Sequence, residues 1–262
     1  PKDSLGNQLL LGTFGFYGFV AGGVSRVTMI TGAIAQAAFP SFSLLHKQGD
    51  RAGLMAQYRK LQDLLCYTTV PLFAAIPFSA LPLLIYLFNR EVAQMLLAPI
   101  SFLTVGYYMN GTLNVPYIFS VAVGKPEITT LSNVLALLIV LPVTVFLIYF
   151  FGLAGAGFSW IFYHIFIYAY AVPRICSECL EMPVSDWYRH ILKIAGLIGL
   201  TYGSAWMILD WMNIDSLFPW VIAYAAASVG YLMGGFWMMG EEMRETFYKL
   251  PPLVKETIMG IP

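Results

Sequence analysis

Arg26, Gln36, Tyr107, Asn110, Asn114 and His164 offer polar chemistry from within long apolar stretches of this chain. An arginine at the centre of a membrane-inserted helix costs about 2.5–3.5 kcal/mol, and less near the interface. One retained inside a span therefore faces water, a partner or an anionic ligand. Its guanidinium stays protonated and binds phosphate through two parallel hydrogen bonds. On a helical wheel Arg26 shares its face with Gly15, Gly18, Gly22, Ala33 and Gln36, mostly small residues that leave room for a groove. The competing reading puts Arg26 near the outer end of its helix, snorkelling to lipid head groups. Tyr107, Asn110 and Asn114 sit with Tyr108, Gly111, Thr112 and Pro116 in the middle of a charge-free run. Their hydrogen bonds go either to neighbouring helices or into a hydrated cavity. His164, flanked by Tyr163 and Tyr168, titrates near neutral pH when unperturbed. It either relays a proton in a coupled transporter or bonds, neutral, to an adjacent helix; Asn133 is a lesser candidate of the same kind.

Other constellations fall short of the chemistry they suggest. Cys176-Ser177-Glu178-Cys179 supplies two of the four ligands a tetrahedral zinc requires, with no second pair nearby, so no metal is expected. Ser159 followed by His164 on one helix does not have the order of a nucleophile elbow, and no oxyanion-stabilising loop accompanies it. There is no glycine-rich phosphate loop with its lysine. A membrane-embedded glycan polymerase or acyltransferase would gather His, Asp or Arg in outer loops; Arg90, Glu91, Asp210 and Asp215 are too few and too scattered. The expectation is a protein without enzymatic activity or cofactor. The formal net charge of zero gives no attraction for nucleic acid.

The elements that carry these residues follow from the segregation of charge. No Asp, Glu, Lys or Arg occurs between Ile128 and Pro173, and shorter charge-free runs fill most of the rest. With 59% hydrophobic and 11% charged residues, the chain has more apolar surface than a water-soluble core can hide. A bilayer core about 30 Å thick takes roughly 20 apolar residues in helix. The runs predict an all-α membrane protein with about seven transmembrane helices, at 22–44, 64–88, 92–123, 128–150, 156–172, 191–209 and 217–239. Together they form a bundle over 1–240, followed by a cytoplasmic tail, 241–262. Barrel strands are excluded by run length and by the lack of period-2 alternation. The glycine-rich stretch Gly152–Gly157 predicts the turn between the fourth and fifth passes. Eleven of the fourteen Lys and Arg, from Lys47 to Lys255, fall on one side under this topology. Lys2 and Arg90 fall opposite, which predicts a cytoplasmic C-terminus in a cytoplasmic (inner) cell membrane and an outward Pro1. A separate crossing by Ser4–Ser25, with a turn near Gly22-Gly23, is the alternative for the first 45 residues.

Finer features complete the pattern. The segment 47–63 mixes Leu54, Met55, Tyr58 and Leu61 with Arg51, Arg59 and Lys60, which suits a helix lying on the cytoplasmic interface. Pro71, Pro77 and Pro82 in the second pass, and Pro99 and Pro116 in the third, predict kinks. Gly18-x-x-x-Gly22, Gly199-x-x-x-Gly203 and Gly230-x-x-x-Gly234 predict close helix contacts.

At Phe39-Pro40-Ser41-Phe42-Ser43, followed by Gly49-Asp50 and Tyr58-Arg59-Lys60, the chain resembles the polysaccharide (lipid-linked oligosaccharide) flippases of the multidrug/oligosaccharidyl-lipid/polysaccharide exporter superfamily. The resemblance continues through Gly124-Lys125, Asn133 and the Gly152–Ala156 turn, to about Pro173. The loop Asn89-Arg90-Glu91 departs from the family pattern, lacking a Gly and a Tyr. Such proteins have about 14 helices in two pseudo-symmetric halves around a central cavity. The resemblance implies that this chain is the second half, its N-terminal half missing from the sequence. It also implies transport of a lipid-linked glycan out of the surrounding membrane lipids. Arg26 would then attract the diphosphate, while Gln36, Tyr107, Asn110 and Asn114 bond sugar hydroxyls. A multidrug or small-molecule antiporter of the same superfamily, coupled through His164 or a carboxylate, is the alternative, although no Asp or Glu falls within a predicted span.

Overall fold

Local signals set the helix boundaries. Gly49 (φ +70°) closes one helix, and the Asp50 carboxylate then caps the next by accepting a hydrogen bond from the Gly53 amide at 2.9 Å. Asn89 caps in the same way through the Val92 amide at 2.9 Å, and Gly124 (φ +81°) with Pro126 separates two more helices. The computed structural model describes residues 2–249 except Phe88 and Asp215, with side chains over 15–246 except Phe16, Phe19, Val20 and those two. The described chain runs α1 (Lys2–Ala37), α2 (Phe39–Lys47), α3 (Arg51–Thr68), α4 (Val70–Leu87), α5 (Arg90–Ala122) and α6 (Pro126–Ile175). A π turn (Cys176–Leu180) leads to α7 (Val184–Ile198), a second π turn (Gly199–Gly203), α8 (Ser204–Trp211), α9 (Leu217–Met238) and α10 (Glu241–Lys249). Residues 250–262, most of the expected cytoplasmic tail, lie outside the described residues.

Among the described residues six helices are long and apolar enough to cross a membrane: Ala21–Lys47, Arg51–Leu87, Arg90–Ala122, Pro126–Leu180, Val184–Trp211 and Leu217–Met238. The fourth is broken at Gly152, whose φ of 56° and ψ of −132° suit a residue without a Cβ. The chain reverses there: Asn133 accepts a hydrogen bond from Tyr163 at 3.2 Å, and a Cβ on Gly155 would collide with the Leu147 carbonyl. The two legs, 126–151 and 153–175, are antiparallel, so the six helices contain seven membrane-length segments. The turn is confined to Gly152, and helix resumes well before the predicted start at 156, because one positive-φ residue suffices to reverse the chain. At the other end of the chain, α1 passes through Gly22 and Gly23 without a turn.

Packing centres on α5, which contributes buried residues to both hydrophobic clusters. One gathers α1, α2, α3 and both legs of α6, with Phe42 and Tyr58 set edge-on to Phe119 at 5.3 Å. The other gathers α3, α4 and α7 to α10 around Tyr67, Phe78, Trp220 and Tyr231. By contrast the first leg of α6 exposes Leu137, Leu138, Leu141, Val145 and Phe146. A continuous apolar surface of this kind is compatible with hydrocarbon as solvent.

The segment expected to lie on the interface is α3, which runs almost straight into α4 and buries Leu54, Tyr58 and Leu65. The helix starts where Asp50 caps it, before the hydropathy rises. The bend between the two falls at Thr69, because Pro71 has no amide for the Tyr67 carbonyl. Carbonyls around the bend take hydroxyl donors from other helices: Tyr108 donates to Cys66 at 3.0 Å and Tyr224 to Pro71 at 2.8 Å.

Candidate functional site

Tyr107, Asn110 and Asn114 recur at helical spacing along α5 and share one face of it, half-buried. Asn114 donates to the Thr31 hydroxyl of α1 at 2.6 Å, and Thr31, itself fully buried, donates to the Thr28 carbonyl at 2.9 Å. Tyr107 packs on Trp160 of the second α6 leg at 5.2 Å. The neighbouring Thr112 and Tyr168 hydroxyls are 2.6 Å apart, linking α5 to the same leg. The stripe thus holds α1, α5 and the second leg together, which is what polar groups in apolar surroundings require.

Arg26 and Gln36 lie elsewhere. Both are exposed, on the face of α1 that also carries Gly15, Gly18, Gly22 and Ala33. Among the described residues, a Cβ built on Gly15, Gly18 or Gly22 would meet no atom within 4 Å. Thr31, which points at α5, is five residues from Arg26, or about 140° round the helix at 100° per residue. Among the described residues the structure therefore divides the expected substrate residues into a packed α5 stripe and an exposed face of α1, where glycines alternate with Met29 and Ile30. Gly18-x-x-x-Gly22 was expected to make a close helix contact; among the described residues nothing comes within 4 Å of a Cβ at either glycine. Backbones instead approach at Gly106 and Gly157, where α5 meets the second leg of α6.

His164 is fully buried in that second leg. Its Nδ1 donates to the Trp160 carbonyl at 2.7 Å, and the rings of Trp160 and Tyr163 pack edge-on to it at 5.0 and 4.8 Å. Its Nε2 makes no hydrogen bond within the described chain.

A polar cluster not anticipated from the sequence sits where α3 meets α7 and the α9–α10 junction. Asp63, 7% exposed, accepts a hydrogen bond from the Gly240 amide at 2.7 Å, and its other oxygen lies 3.6 Å from His190 Nδ1. Tyr67 packs edge-on to His190 at 5.7 Å. The adjacent Gln62 donates to the Thr112 carbonyl at 3.0 Å. Asp63 ends the segment expected to lie on the cytoplasmic interface, and the signal for its burial is its place as the last charge before the run from Leu64 to Asn89. Here is a buried carboxylate and an imidazole at the end of the membrane-length helices, a suitable place to bind a proton or cation.

The same end of the bundle gathers Arg51, Arg59, Lys125 and Arg174. Arg51 donates to the Cys179 and Leu180 carbonyls at 2.9 and 2.5 Å, neutralising the negative end of the second leg. Lys125 and Arg174 both pair with Glu178, at 3.6 and 3.1 Å, and Arg59 pairs with Glu242 at 3.4 Å. Arg90 is at the opposite end, 3.4 Å from Asn213. Cys176 and Cys179 are buried free thiols, and among the described residues no three His, Cys, Asp or Glu side chains are grouped as metal ligands. No family model, curated protein or solved structure matches this chain.

Proposed function

We propose that this chain is part of a transporter that moves lipid-linked oligosaccharides across the cytoplasmic membrane by alternating access. The observation that carries the reading is Arg26, a permanent cation on an exposed face of α1 that it shares with glycines, Ala33, Gln36 and the apolar Met29 and Ile30, in a helix long and apolar enough to cross the membrane. A pyrophosphate-linked sugar is too polar to cross lipid unaided, and an exposed guanidinium on a membrane-length helix offers bidentate contact to its phosphates. In this reading the open α1 face lines a pathway completed by a second helical half. The α5 stripe supports α1 and exchanges hydrogen bonds as the helices rock. The basic end bearing Arg51, Lys125 and Arg174 is cytoplasmic, as the excess of Lys and Arg there favours.

The test is uptake of labelled lipid-linked oligosaccharide into proteoliposomes containing the whole protein, with the product recovered chemically unchanged. Loss of a charge-assisted phosphate contact, about 1.5–3 kcal/mol, lowers uptake about ten- to hundredfold in Arg26→Ala, and Arg26→Lys retains part of it. Wild-type rates in Arg26→Ala at equal protein would refute the role given to Arg26, and a covalently altered product would replace the transporter by an enzyme. A small-molecule antiporter is the second reading, and buried Asp63 beside His190 favours it by supplying a site for the coupling ion. Drug uptake driven by a proton or sodium gradient, with no glycan transport, would select it.

A further inference from the structure

Two carboxylates converge on Gly240 at the basic end of the bundle. Asp63 Oδ2 accepts the Gly240 amide at 2.7 Å, and a Cβ on Gly240 would stand 3.1 Å from both Asp63 Oδ2 and Glu242 Oε2. Asp63 is the last charge of α3, and Gly240 and Glu242 lie where the chain passes from α9 into α10. The two are compensated unequally. Arg59, one helical turn before Asp63, pairs with the other oxygen of Glu242 at 3.4 Å. Among the described residues Asp63 has no lysine or arginine within ion-pair distance, and its remaining oxygen faces His190 Nδ1 at 3.6 Å. The charges on the surrounding elements are engaged elsewhere or set apart. On α3, Lys60 lines the cleft that Glu242 and Glu245 of α10 also line. On α7, Arg189 pairs with Asp186 at 3.2 Å, and Lys193, almost a turn beyond His190, is exposed. On α10, Glu241 is exposed and Arg244 gives its amide to the Gly240 carbonyl. Tyr58, Cys66 and Tyr67 of α3 and Tyr231 of α9 add no charge near neutral pH.

We propose that Asp63 and His190 together bind one proton, taken from the basic end of the bundle. Charge sets the stoichiometry. Asp63 and Glu242 are two anions and Arg59 is their one paired cation, so the cluster is a single proton short of neutral. A carboxylate withdrawn from water without a counter-charge is costly, and a second carboxylate close by adds repulsion. One proton relieves both, either as an imidazolium paired with the carboxylate or as a carboxylic acid bonded to the neutral ring. A second proton would leave an imidazolium beside a neutral acid, a poorly solvated cation without a partner, so uptake stops at one. His190 is the point of entry. Its side chain is 22% exposed against 10% for Asp63, and its Nε2 has no hydrogen-bond partner among the described residues, which leaves that atom to water. A metal ion suits the site less well, because an amide already takes one Asp63 oxygen and the described residues group no three His, Cys, Asp or Glu side chains as ligands. As the coupling site of an antiporter the pair rests on the second transport reading; as a proton site it rests on this geometry alone.

The test is NMR of the full chain in lipid nanodiscs with isotope-labelled histidine and aspartate, recorded against pH with no gradient and no transport substrate. Between about pH 8 and 5 the Asp63 carboxyl and the His190 ring are expected to take up one proton between them, whereas an isolated aspartate begins to titrate only near about pH 4. Asp63→Asn keeps an acceptor for the Gly240 amide and removes the charge, so its His190 stays neutral throughout that range, where an independent histidine would titrate as before. Glu242→Gln removes the second anion and raises the proton concentration needed for half-uptake about three- to tenfold. Unchanged signals from the buried His164 identify the variants that fold, and either variant alone decides the matter. Uptake of no proton or of two, a His190 that titrates in Asp63→Asn as in the wild type, a Glu242→Gln titration that does not move, or displacement of the proton by sodium at constant pH would each overturn the proposal. One proton bound by a protein that shows no proton-driven drug uptake would overturn the antiporter reading and uphold the site.

Discussion

Gly157→Ala would put a methyl group 2.5 Å from the Pro99 carbonyl oxygen and 3.1 Å from the Pro99 Cα. Gly106→Ala would put one 2.6 Å from Trp160 Cδ1 and 3.1 Å from the Ile161 amide nitrogen. Ordinary contact begins near 3.4 Å, so at both sites α5 and the second leg of α6 must separate by several tenths of an ångström. Overpacking of this kind costs about 1–3 kcal/mol, against about 0.5–1 kcal/mol gained by replacing glycine with alanine inside a helix. Gly111→Ala on the same α5 is the internal control, because its nearest neighbour is the Thr31 hydroxyl at 3.7 Å and only the gain remains. The net loss is about 0.5–2 kcal/mol, so at about 2–4 °C per kcal/mol the first two variants should melt about 1–8 °C lower and the third about 1–4 °C higher. Thermal unfolding in detergent can be followed with a thiol-reactive fluorophore, since Cys66, Cys176 and Cys179 are buried and free. If Gly106→Ala and Gly157→Ala melt at or above the wild-type temperature, or Gly111→Ala falls with them, the close α5–α6 seam is wrong.

Asp63→Ala leaves the Gly240 amide without its acceptor and should cost about 1–3 kcal/mol in the same melt, whereas Asp63→Asn keeps an acceptor and loses less. Equal losses in the two variants would show that the hydrogen bond does not hold the α9–α10 junction. Tyr108→Phe and Tyr224→Phe each remove a hydroxyl from a carbonyl near the Pro71 bend and should cost about 0.6 kcal/mol, typical of polar contacts in membranes; the double variant should be close to additive. Gly152→Val imposes a side chain on a backbone at φ 56° and should cost about 1–3 kcal/mol or straighten the hairpin, which reporter fusions after residue 175 would detect as inverted sidedness.

Much of the architecture was legible because the bilayer imposes a length and apolarity rule that acts on each segment by itself. Charge-free runs located the membrane-length apolar helices of the described chain, and the glycine at 152 located the reversal inside the longest. Helix ends were less legible: α3 begins at its Asp50 cap, well before the predicted span at 64, because a helix propagates through charged residues wherever its ends are capped. The α1 wheel was legible too, since Arg26 and its small neighbours follow from spacing alone. That this face is uncovered among the described residues, and that Asn114 bonds Thr31 on the other side of α1, depends on which side of α1 meets α5.

The amino-acid sequence by itself determined an all-helical chain with membrane-length apolar segments, the distribution of its charges between the two ends, and the residues on each helix face. These are properties of single segments in a solvent of fixed thickness. Only the tertiary structure decided that Asp63 meets His190 and Gly240, that backbones close on one another at Gly106 and Gly157 and not at Gly18 and Gly22, and that a groove opens beside Pro77. Each depends on the rotation and tilt of one helix against another. In a membrane that choice rests on close packing and hydrogen bonds between helices of similar hydropathy, which no pattern within a single helix specifies.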